Sequence, residues 1–189
     1  FEQSVLKRAL DILVSVVALI VSSPIMLIEA LAIKLEDGGP VFFKQPRVTK
    51  DGAIFQVLKF RTMIVDADKN KKRLASQDDD RITKVGRIVR KLRIDELPQF
   101  INILKGEMSV VGPRPEQAEI TEKYVEVLPE FRYRLKVKAG LTGLAQILGK
   151  YNTTPKDKLI LDLIYIEQYS IWVDLKLMLQ TVKVLFKSD

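Results

Sequence analysis

The longest apolar segment of the chain runs from Ile12 to Ile33 and is interrupted near its middle by Ser22, Ser23 and Pro24. As one straight α-helix it would be roughly 33 Å long, which is enough to cross a bilayer. Proline removes one backbone hydrogen bond and clashes with the preceding turn, so we expect a kink there. The serine hydroxyls can satisfy the carbonyl groups that the kink frees.

Charged residues in and around this segment argue against simple crossing. Glu29 lies beyond the interruption, and a carboxylate deep in lipid is costly. Cations flank both ends, and the positive-inside rule then places both ends on the cytoplasmic side. These cations are Lys7, Arg8, Lys34, Lys44 and Arg47. A re-entrant helix–break–helix that enters one leaflet and returns satisfies all of these features, and a kinked spanning helix or a buried core helix are the alternatives.

The pattern that follows predicts a small β-hairpin. Asp37-Gly38-Gly39-Pro40 is a strong turn signal. Val41–Lys44 and Ile54–Phe60 are typical of short strands, and Lys50-Asp51-Gly52 between them is typical of a hairpin turn. We therefore expect two antiparallel strands directly after the apolar segment.

Three later segments are predicted to be helices. Asp66–Ala75 is highly charged, and Ile82–Leu92 repeats apolar residues at helical spacing. Ile171–Phe186 is amphipathic, and its tryptophan and lysines suit a membrane interface, although packing on the core fits it equally well. The expected fold class is α+β and mainly helical. A membrane-embedded helical hairpin is expected over residues 1–37 and one domain on the cytoplasmic face over residues 38–189.

Composition narrows the chemistry. The 189 residues carry a net charge of +7 and contain neither cysteine nor histidine. Disulfides, thiolate metal sites and Ser-His-Asp or Cys-His catalysis are therefore excluded. Any metal must be held by oxygen ligands, which favours Mg²⁺ or Mn²⁺. The positive charge suggests an anionic partner, and the start at Phe1 rather than Met leads us to expect a piece of a longer protein.

The segment Arg93-Ile94-Asp95-Glu96-Leu97-Pro98-Gln99 places two adjacent carboxylates beside arginine. Because proline is tolerated in the first turn of a helix, we expect a helix to start near Asp95, with Asp95 as its N-cap. An ordinary capping role is one interpretation. The other is phosphate chemistry, in which Asp95 is the nucleophile of an acyl-phosphate intermediate. Glu96 would then bind a metal, or deprotonate or orient the second substrate.

Gly112-Pro113-Arg114-Pro115 is predicted to be a stiff loop. Both prolines fix φ, and each holds the preceding residue in an extended conformation. Arg114 therefore has little conformational freedom to lose, and its planar guanidinium can bind a phosphate through two hydrogen bonds. Pro-Arg-Pro alone is common, but its position shortly after the carboxylate pair favours a phosphate site.

In this order the motifs resemble those of the bacterial sugar transferases, also called polyprenyl-phosphate phosphoglycosyl transferases. The resemblance covers roughly Lys7 to Phe186 and includes Lys59-Phe60-Arg61-Thr62-Met63 and Gly140-Leu141-Thr142-Gly143-Leu144-Ala145-Gln146. Ala139 stands where the family usually has proline, and Gly149-Lys150 where many members have Gly-Arg, so a phosphate contact there is in doubt. The C-terminal third is most similar to the catalytic domain of the longer polyprenyl glycosylphosphotransferases.

The resemblance implies an enzyme that moves a sugar-1-phosphate from a UDP-sugar to a polyprenyl (undecaprenyl) phosphate and releases UMP. It implies a covalent aspartyl intermediate and Mg²⁺, or else Mn²⁺, held by the catalytic Asp95 and Glu96. It places the protein among the lipids of the bacterial inner membrane, on the cytoplasmic face, with a re-entrant helix broken at Ser23 and Pro24. The pathway would be glycoconjugate or exopolysaccharide synthesis. Nucleic acid is not an expected partner, and a homodimer is left open.

The resemblance also implies a set of contacts to the substrates and their phosphates. For Lys59 the alternative is a solvated strand end, and for Asp162 it is an ordinary charge on the surface of a helix. Arg90 lies about one turn before the carboxylates and matches a family arginine. The full set is Lys59, Arg61, Arg90, Arg114 and Asp162.

Two other functions stay open at this point. One is another metal-dependent phosphotransferase, of the phospholipid-synthesis type. Such enzymes usually carry several spaced aspartates on spanning helices, and this sequence has no such motif. The other is a non-enzymatic basic module that binds anionic lipid or nucleic acid, which the net charge allows. A module of that kind does not explain why two adjacent carboxylates stand among the cations.

Overall fold

The computed structural model describes residues 4–67, 79–150 and 152–186. The chain opens with α1, Val5–Asp37, a helix of 33 residues that is capped by the Ser4 side chain. It ends at Gly38, whose φ of 69° is a left-handed conformation that glycine adopts with little strain. Most of the charged helix predicted over Asp66–Ala75 falls outside the described residues.

Helix α1 remains helical through Pro24. A residue with an N–H at position 24 would donate to the carbonyl of Ile20, and here the Ser23 hydroxyl donates to that carbonyl instead, across 2.8 Å. The prediction that a serine hydroxyl satisfies the carbonyl freed by proline is therefore confirmed. Two helical arms separated by a break are not observed, since α1 is assigned as one element. The serine replaces the lost hydrogen bond, and this helps the helix to continue.

The predicted hairpin follows α1. Strand β1, Phe42–Val48, pairs antiparallel with strand β2, Ile54–Phe60, and a short 3-10 turn at Lys50–Gly52 joins them. Strand β1 continues beyond Val41–Lys44, the range expected from the sequence, and passes through Pro46. In a sheet of two strands every strand is an edge, where the missing N–H of a proline is tolerated.

The other described elements are mostly helices. They are α2 Lys84–Lys91, α3 Gln99–Lys105, β3 Ser109–Val111, α4 Ala118–Val127, β4 Gly140–Thr142, α5 Leu144–Leu148, α6 Pro155–Glu167 and α7 Ile171–Phe186. The segment Pro129–Lys136 is a 3-10 helix. Strands β3 and β4 pair in parallel. The core packs around residues from both sheets and from α3, α6 and α7, among them Phe55, Val57, Ile103, Met108, Val111, Tyr165 and Leu177. The mainly helical fold with a small hairpin is as predicted.

The surface of α1 is inverted relative to that of a helix in a soluble core. The residues that it buries are mostly polar and share one face: Lys7, Asp11, Ser15, Ser22, Glu29 and Ile33. Its apolar residues point outward, and several are more than 60% exposed: Leu13, Ile20, Val21, Leu27 and Ile28. The helix is long and apolar enough to cross a membrane, and little of its apolar part is buried in the protein. An outer face of this kind suits contact with lipid.

Polar contacts hold the N-terminal end of α1 against the rest of the protein. Lys7 Nζ lies 2.8 Å from Asp174 Oδ2, and both side chains are almost fully buried. Asp11 Oδ1 accepts a hydrogen bond of 3.0 Å from the Ser109 hydroxyl. Arg8 donates to two carbonyls in the last turn of α3, across 2.6 Å each. These bonds tie the start of α1 to β3, α3 and α7.

The C-terminal end of α1 is held in the same way. Arg61, directly after β2, donates to both carboxylate oxygens of Asp37, and the bond from Nη1 is 2.8 Å long. Glu36 accepts from the backbone N–H groups of Lys84 and Val85 in the first turn of α2. Both ends of α1 are therefore fixed to one body of protein.

The apolar face predicted for Ile171–Phe186 points outward in α7. Trp172 is 80% exposed, Leu179 65% and Leu185 50%. Leu177 and Asp174 are the residues that α7 buries. Of the two alternatives left open by the sequence, this orientation favours a membrane interface over packing on the core.

Candidate active site

A tight turn presents the two carboxylates. Arg93 has a φ of 55°, which reverses the chain after α2. The segment after Arg93 is held by backbone hydrogen bonds between residues three positions apart. One example is the bond of 3.0 Å that Gln99 N donates to Glu96 O. Helix α3 begins only at Gln99, with Pro98 at its cap position and no capping side chain. The prediction that Asp95 is the N-cap is therefore wrong, because the turn moves the start of the helix beyond Asp95.

Glu96 is neutralised by two cations from distant parts of the chain. Lys59 Nζ, near the end of β2, donates to Glu96 Oε1 across 2.8 Å, and Arg114 Nη2 donates to the same oxygen across 3.0 Å. Burial would raise the pKa of Glu96, but Arg114 and Lys59 outweigh it and lower the pKa to about 2. Glu96 is therefore ionised and already engaged on one oxygen at neutral pH.

Asp95 differs from its neighbour in its partners. Its backbone carbonyl accepts from Phe60 N at 2.9 Å, which fixes it beside β2. Within the described ranges its carboxylate has no hydrogen bond to another side chain. Burial raises the pKa of Asp95, the charge of Glu96 raises it further, and Lys59 and Arg90 oppose both. A hydrogen bond from its own backbone N–H also lowers the pKa, and the carboxylate keeps other acceptor positions available to a ligand.

Both carboxylates line a cleft of about 1110 Å³. The charged residues that line it include Arg47, Lys59, Arg90, Arg93, Asp95, Glu96 and Arg114. The apolar residues that line it include Val14, Leu141, Ile147, Met178, Val182 and Leu185. This mixed lining suits a ligand with an anionic part and a less polar part.

The charged residues of the cleft offer few ligands for a metal ion. Among residues 4–67, 79–150 and 152–186, no group of three or more carboxylates lies close enough to hold a metal ion. Asp95 has no partner among the described side chains, whereas Glu96 already accepts from Lys59 and Arg114 on one of its two oxygens. Mg²⁺ commonly binds one or two carboxylates together with phosphate oxygens of the substrate and water. The donor set therefore suits Mg²⁺ bound together with a phosphorylated ligand.

Four consecutive carbonyls fix the loop that carries Arg114. The Pro113 carbonyl accepts from Gly140 N at 2.8 Å, and the Glu116 carbonyl accepts from Val48 N at 2.9 Å. Between them, the Arg114 carbonyl accepts from the Arg134 side chain at 2.8 Å, and the Pro115 carbonyl accepts from the Arg47 side chain at 3.1 Å. The stiff loop predicted from its prolines is therefore also held from outside.

Two other predicted contact residues have partners within the protein. Arg90 lines the cleft, and its Nε donates to the Thr62 hydroxyl across 2.8 Å. Arg61 also borders the cleft, but it is 7% exposed and binds Asp37 and the carbonyls of Pro40 and Met63. The structure thus uses Arg61 to join the end of α1 to the hairpin, and a substrate contact by Arg61 stays a prediction.

Asp162 lies behind the cleft. It is 2% exposed, and its Oδ2 lies 2.9 Å from Nε of the equally buried Arg134. It is therefore not the ordinary surface charge that was one alternative, and it is not among the residues that line the cleft. A direct substrate contact by Asp162 stays a prediction that this position does not favour.

Sequence reasoning missed other residues of the site. Arg47 was noted only as a flanking cation, and Arg134 carried no signal because nothing in its charged segment marks it as buried. Glu29, which the sequence marked only as a costly carboxylate in the apolar segment, is 3% exposed, and its carboxylate has no hydrogen-bond partner among the described residues. Gln146 Nε2, in the cleft wall, is likewise unpartnered in the described part of the chain.

An exposed apolar helix joined to a carboxylate and cation cleft defines a membrane-associated protein whose site suits phosphate chemistry. The chain belongs to the bacterial sugar transferase family, whose sequence model matches residues 2–188. The motifs that suggested this family therefore identified it correctly.

Similar proteins support this membership. UDP-N-acetylgalactosamine-undecaprenyl-phosphate N-acetylgalactosaminephosphotransferase from Aeromonas hydrophila is 42% identical over 181 residues, which cover 94% of this chain and 43% of that protein. UDP-glucose:undecaprenyl-phosphate glucose-1-phosphate transferase from Caulobacter vibrioides is 43% identical over 188 residues, 97% of this chain and 70% of that protein. The enzyme of the same name from Escherichia coli K12 is 43% identical over 182 residues, 94% of this chain and 39% of that protein. The chain thus spans about two fifths of the Aeromonas and Escherichia proteins.

Proposed function

We propose that this chain carries the catalytic site of a phosphoglycosyl transferase, which moves a sugar-1-phosphate from a UDP-sugar to undecaprenyl phosphate and releases UMP. The observation that carries the proposal is the contrast between the two adjacent carboxylates. Glu96 is held by Lys59 and Arg114, whereas Asp95 lines the same cleft and accepts no hydrogen bond from another described side chain. A nucleophile needs available lone pairs, and the cations beside it can stabilise the charge of a diphosphate.

The first half of the reaction forms a bond between an Asp95 oxygen and the phosphorus that carries the sugar. The bridging P–O bond of the diphosphate breaks, and its electron pair leaves with UMP. Lys59, Arg90 and Arg114 lie where they can neutralise the phosphate oxygens, and Arg114 can offer two parallel N–H groups to one phosphate. Glu96 keeps Lys59 and Arg114 in place before the substrate arrives.

The second half returns Asp95 to its starting state. An oxygen of the lipid phosphate attacks the same phosphorus, the acyl-phosphate bond breaks, and its electron pair returns to the Asp95 carboxylate. The product is a polyprenyl diphosphate sugar. When bound, Mg²⁺ would neutralise phosphate oxygens, and Asp95 and Glu96 are the residues that would hold it. The two halves share one site because both substrates present a phosphate to the same carboxylate.

We further propose that α1 lies in the cytoplasmic leaflet of the bacterial inner membrane, with both of its ends on the cytoplasmic face. As one helix, α1 is about 50 Å long, more than a bilayer core needs. Crossing would put its ends on opposite faces, yet Lys7 and Asp37 are both bonded to the same body of protein. A helix that lies in one leaflet, with its polar stripe toward the domain, satisfies these contacts. The outward face of α7 would then rest in the same interface.

The sugar is a separate question. The related proteins are named for N-acetylgalactosamine and for glucose, so membership of the family does not set the sugar. Two features of the cleft could distinguish one sugar or nucleotide from another. They are its apolar lining residues and Gln146 Nε2, which has no hydrogen-bond partner among the described residues.

The proposal is tested by UMP release. The purified chain in nanodiscs is given Mg²⁺, undecaprenyl phosphate and, one at a time, a panel of UDP-sugars. We expect UMP in step with the formation of a lipid-linked sugar for at least one sugar, and none from Asp95→Asn. If the chain binds anionic vesicles but releases no UMP with any UDP-sugar of the panel, the transferase proposal is wrong. The alternative, a non-enzymatic basic module, then replaces it.

A further inference from the structure

Behind the Arg114 loop lies a buried ion pair that does not reach the cleft. Arg134 is in the 3-10 segment Pro129–Lys136, and Asp162 is in α6. Arg134 Nε and Asp162 Oδ2 are 2.9 Å apart, and both side chains are 2% exposed. The Arg134 guanidinium also lies 4.8 Å from the centre of the Phe131 ring, and Phe131 is fully buried. Burial, the ion pair and the Phe131 ring thus restrict the geometry of the Arg134 guanidinium.

Such a pair is not explained by stability alone. Removing two charges from water costs several kcal/mol per ion, and the attraction between them often only offsets that cost. Apolar residues of similar volume would serve the core equally well or better. The cost of burying this pair therefore suggests that the remaining N–H donors of Arg134 have a role of their own.

One of these donors reaches the active-site loop. Arg134 Nη2 donates to the Arg114 carbonyl across 2.8 Å, while the Arg114 side chain lies 3.0 Å from Glu96 Oε1. Of the four consecutive loop carbonyls that hold donors, this one belongs to the residue whose side chain enters the cleft. A planar guanidinium can hold the carboxylate and the carbonyl at once because its N–H groups point in fixed directions.

We propose that Arg134, oriented by Asp162, is a positioning residue that sets where the Arg114 guanidinium stands in the cleft. The inference rests on the proposed function, because it assigns Arg114 to the phosphates of that reaction. It gives Asp162 a role behind the cleft, where it acts through Arg134 rather than on substrate. The chain of contacts runs from Asp162 to Arg134, to the backbone of Arg114, and through its side chain to Glu96.

Two variants separate positioning from folding. Arg134→Lys keeps a cation for Asp162 but loses the fixed fork that reaches the loop. The double variant Arg134→Met with Asp162→Leu removes both charges together, so neither is left buried and unpaired. We expect both proteins to keep a melting temperature close to that of the parent. We expect the kcat/KM for the UDP-sugar to fall about 10- to 100-fold, as a misplacement near 1 Å can cause.

The decisive readout is the coupling with Arg114. In an Arg114→Lys background, adding Arg134→Lys should reduce kcat/KM little further, because the positioned group is already gone. Arg132→Met is the matched control, since Arg132 is exposed in the same 3-10 segment and its loss should leave the kinetics unchanged. Two results would overturn the inference. One is parent kinetics in the variant Arg134→Met with Asp162→Leu. The other is that the losses of kcat/KM from Arg134→Lys and Arg114→Lys multiply when the two substitutions are combined.

A second measurement does not need turnover. A dicarbonyl reagent that modifies arginine is applied, and the rate at Arg114 is read by peptide mass spectrometry. We expect Arg114 to react faster in Arg134→Lys than in the parent or in Arg132→Met. Equal rates would overturn the positioning role even if the enzyme proved inactive with every UDP-sugar. Absence of UMP release from the parent, in contrast, would count against the proposed function alone.

Discussion

Lys59 and Glu96 meet at 2.8 Å from two separate parts of the fold, the end of β2 and the turn before α3. This contact, with that of Arg114 on the same oxygen, engages Glu96 and leaves its neighbour Asp95 without a partner among the described side chains. From the sequence we expect Asp95 to be the nucleophile and Glu96 to bind a metal or to act on the second substrate. The cations around them provide the physical reason to assign them different roles.

Arg114→Lys should lose much of the catalytic efficiency with little change in stability. Lysine keeps the charge and can still approach Glu96, but it cannot bind a phosphate through two parallel N–H groups. We expect kcat/KM for the UDP-sugar to fall by at least about tenfold, which corresponds to about 1.4 kcal/mol in transition-state binding. Steady-state UMP release and thermal unfolding measure the two effects. Parent kinetics in this variant would reduce Arg114 to a structural role.

Removal of the metal should stop turnover without unfolding the protein. The described part of the chain offers Asp95 and Glu96 and no larger group of carboxylates, so Mg²⁺ would bind mainly together with substrate phosphates. We expect no UMP release after stripping with EDTA, recovery with Mg²⁺ or Mn²⁺, and an unchanged melting temperature in the absence of substrate. Full turnover in excess EDTA would show that Lys59, Arg90 and Arg114 are sufficient.

The Asp37–Arg61 pair should make stability depend on pH in acid. The hydrogen bond from the Arg61 side chain, with that from the Gly39 backbone, lowers the pKa of Asp37 to about 2 from a usual value of 3.8. A carboxylate whose pKa is lowered by folding stabilises the folded state above its unfolded pKa, and this contribution is lost as pH falls. We therefore expect the contribution of this pair to disappear between about pH 4 and pH 2.

Thermal unfolding of the parent and of Asp37→Asn over that pH range measures this effect. The two melting temperatures should differ at pH 5 and converge toward pH 2. Asp51→Asn is a control on an exposed carboxylate of the hairpin turn. A constant difference across the range would mean that Asp37 acts through something other than its charge.

The ends of α1 should both be reachable from the cytoplasmic side. Lys7 and Asp37, near the two ends, are bonded to the same body of protein, so we expect the helix to lie in one leaflet with both ends on the same face. Single cysteines at Ser4 and Lys44 flank the helix, and the chain has no native cysteine. An impermeant thiol reagent should label neither position on intact cells and both after the membrane is opened. Labelling of one position from outside would establish a spanning helix.

Much of the catalytic centre could be predicted because its signals are local. Asp95, Glu96 and Arg114 stand in short motifs whose prolines restrict the backbone, and the structure brings all three to one cleft. The turn that displaces the start of α3 could not be predicted, because Pro98 is compatible with either of two helix starts. Strand β1 extends past its predicted end at Lys44 and includes Pro46, which is tolerated because this sheet consists only of edge strands.

The hidden parts of the site depend on contacts between distant segments. Arg134 and Asp162 look like surface charges in sequence, and only the packing of α6 against the 3-10 segment buries them together. The inverted surface of α1 was hidden for a similar reason. Its polar residues are spread over 23 positions, from Lys7 to Glu29, and only the packing of the helix along the domain shows that their common face is the buried one.

The most direct test of the central claim is to look for a covalent phospho-sugar on Asp95. The protein is incubated with its UDP-sugar and Mg²⁺ without lipid acceptor, quenched in acid and analysed by peptide mass spectrometry. We predict a sugar-phosphate mass on the peptide that contains Asp95, retained in Glu96→Gln, absent from Asp95→Asn, and discharged when undecaprenyl phosphate is added. An adduct that persists in Asp95→Asn, or one that maps to Glu96, would contradict the assignment of Asp95 as the nucleophile.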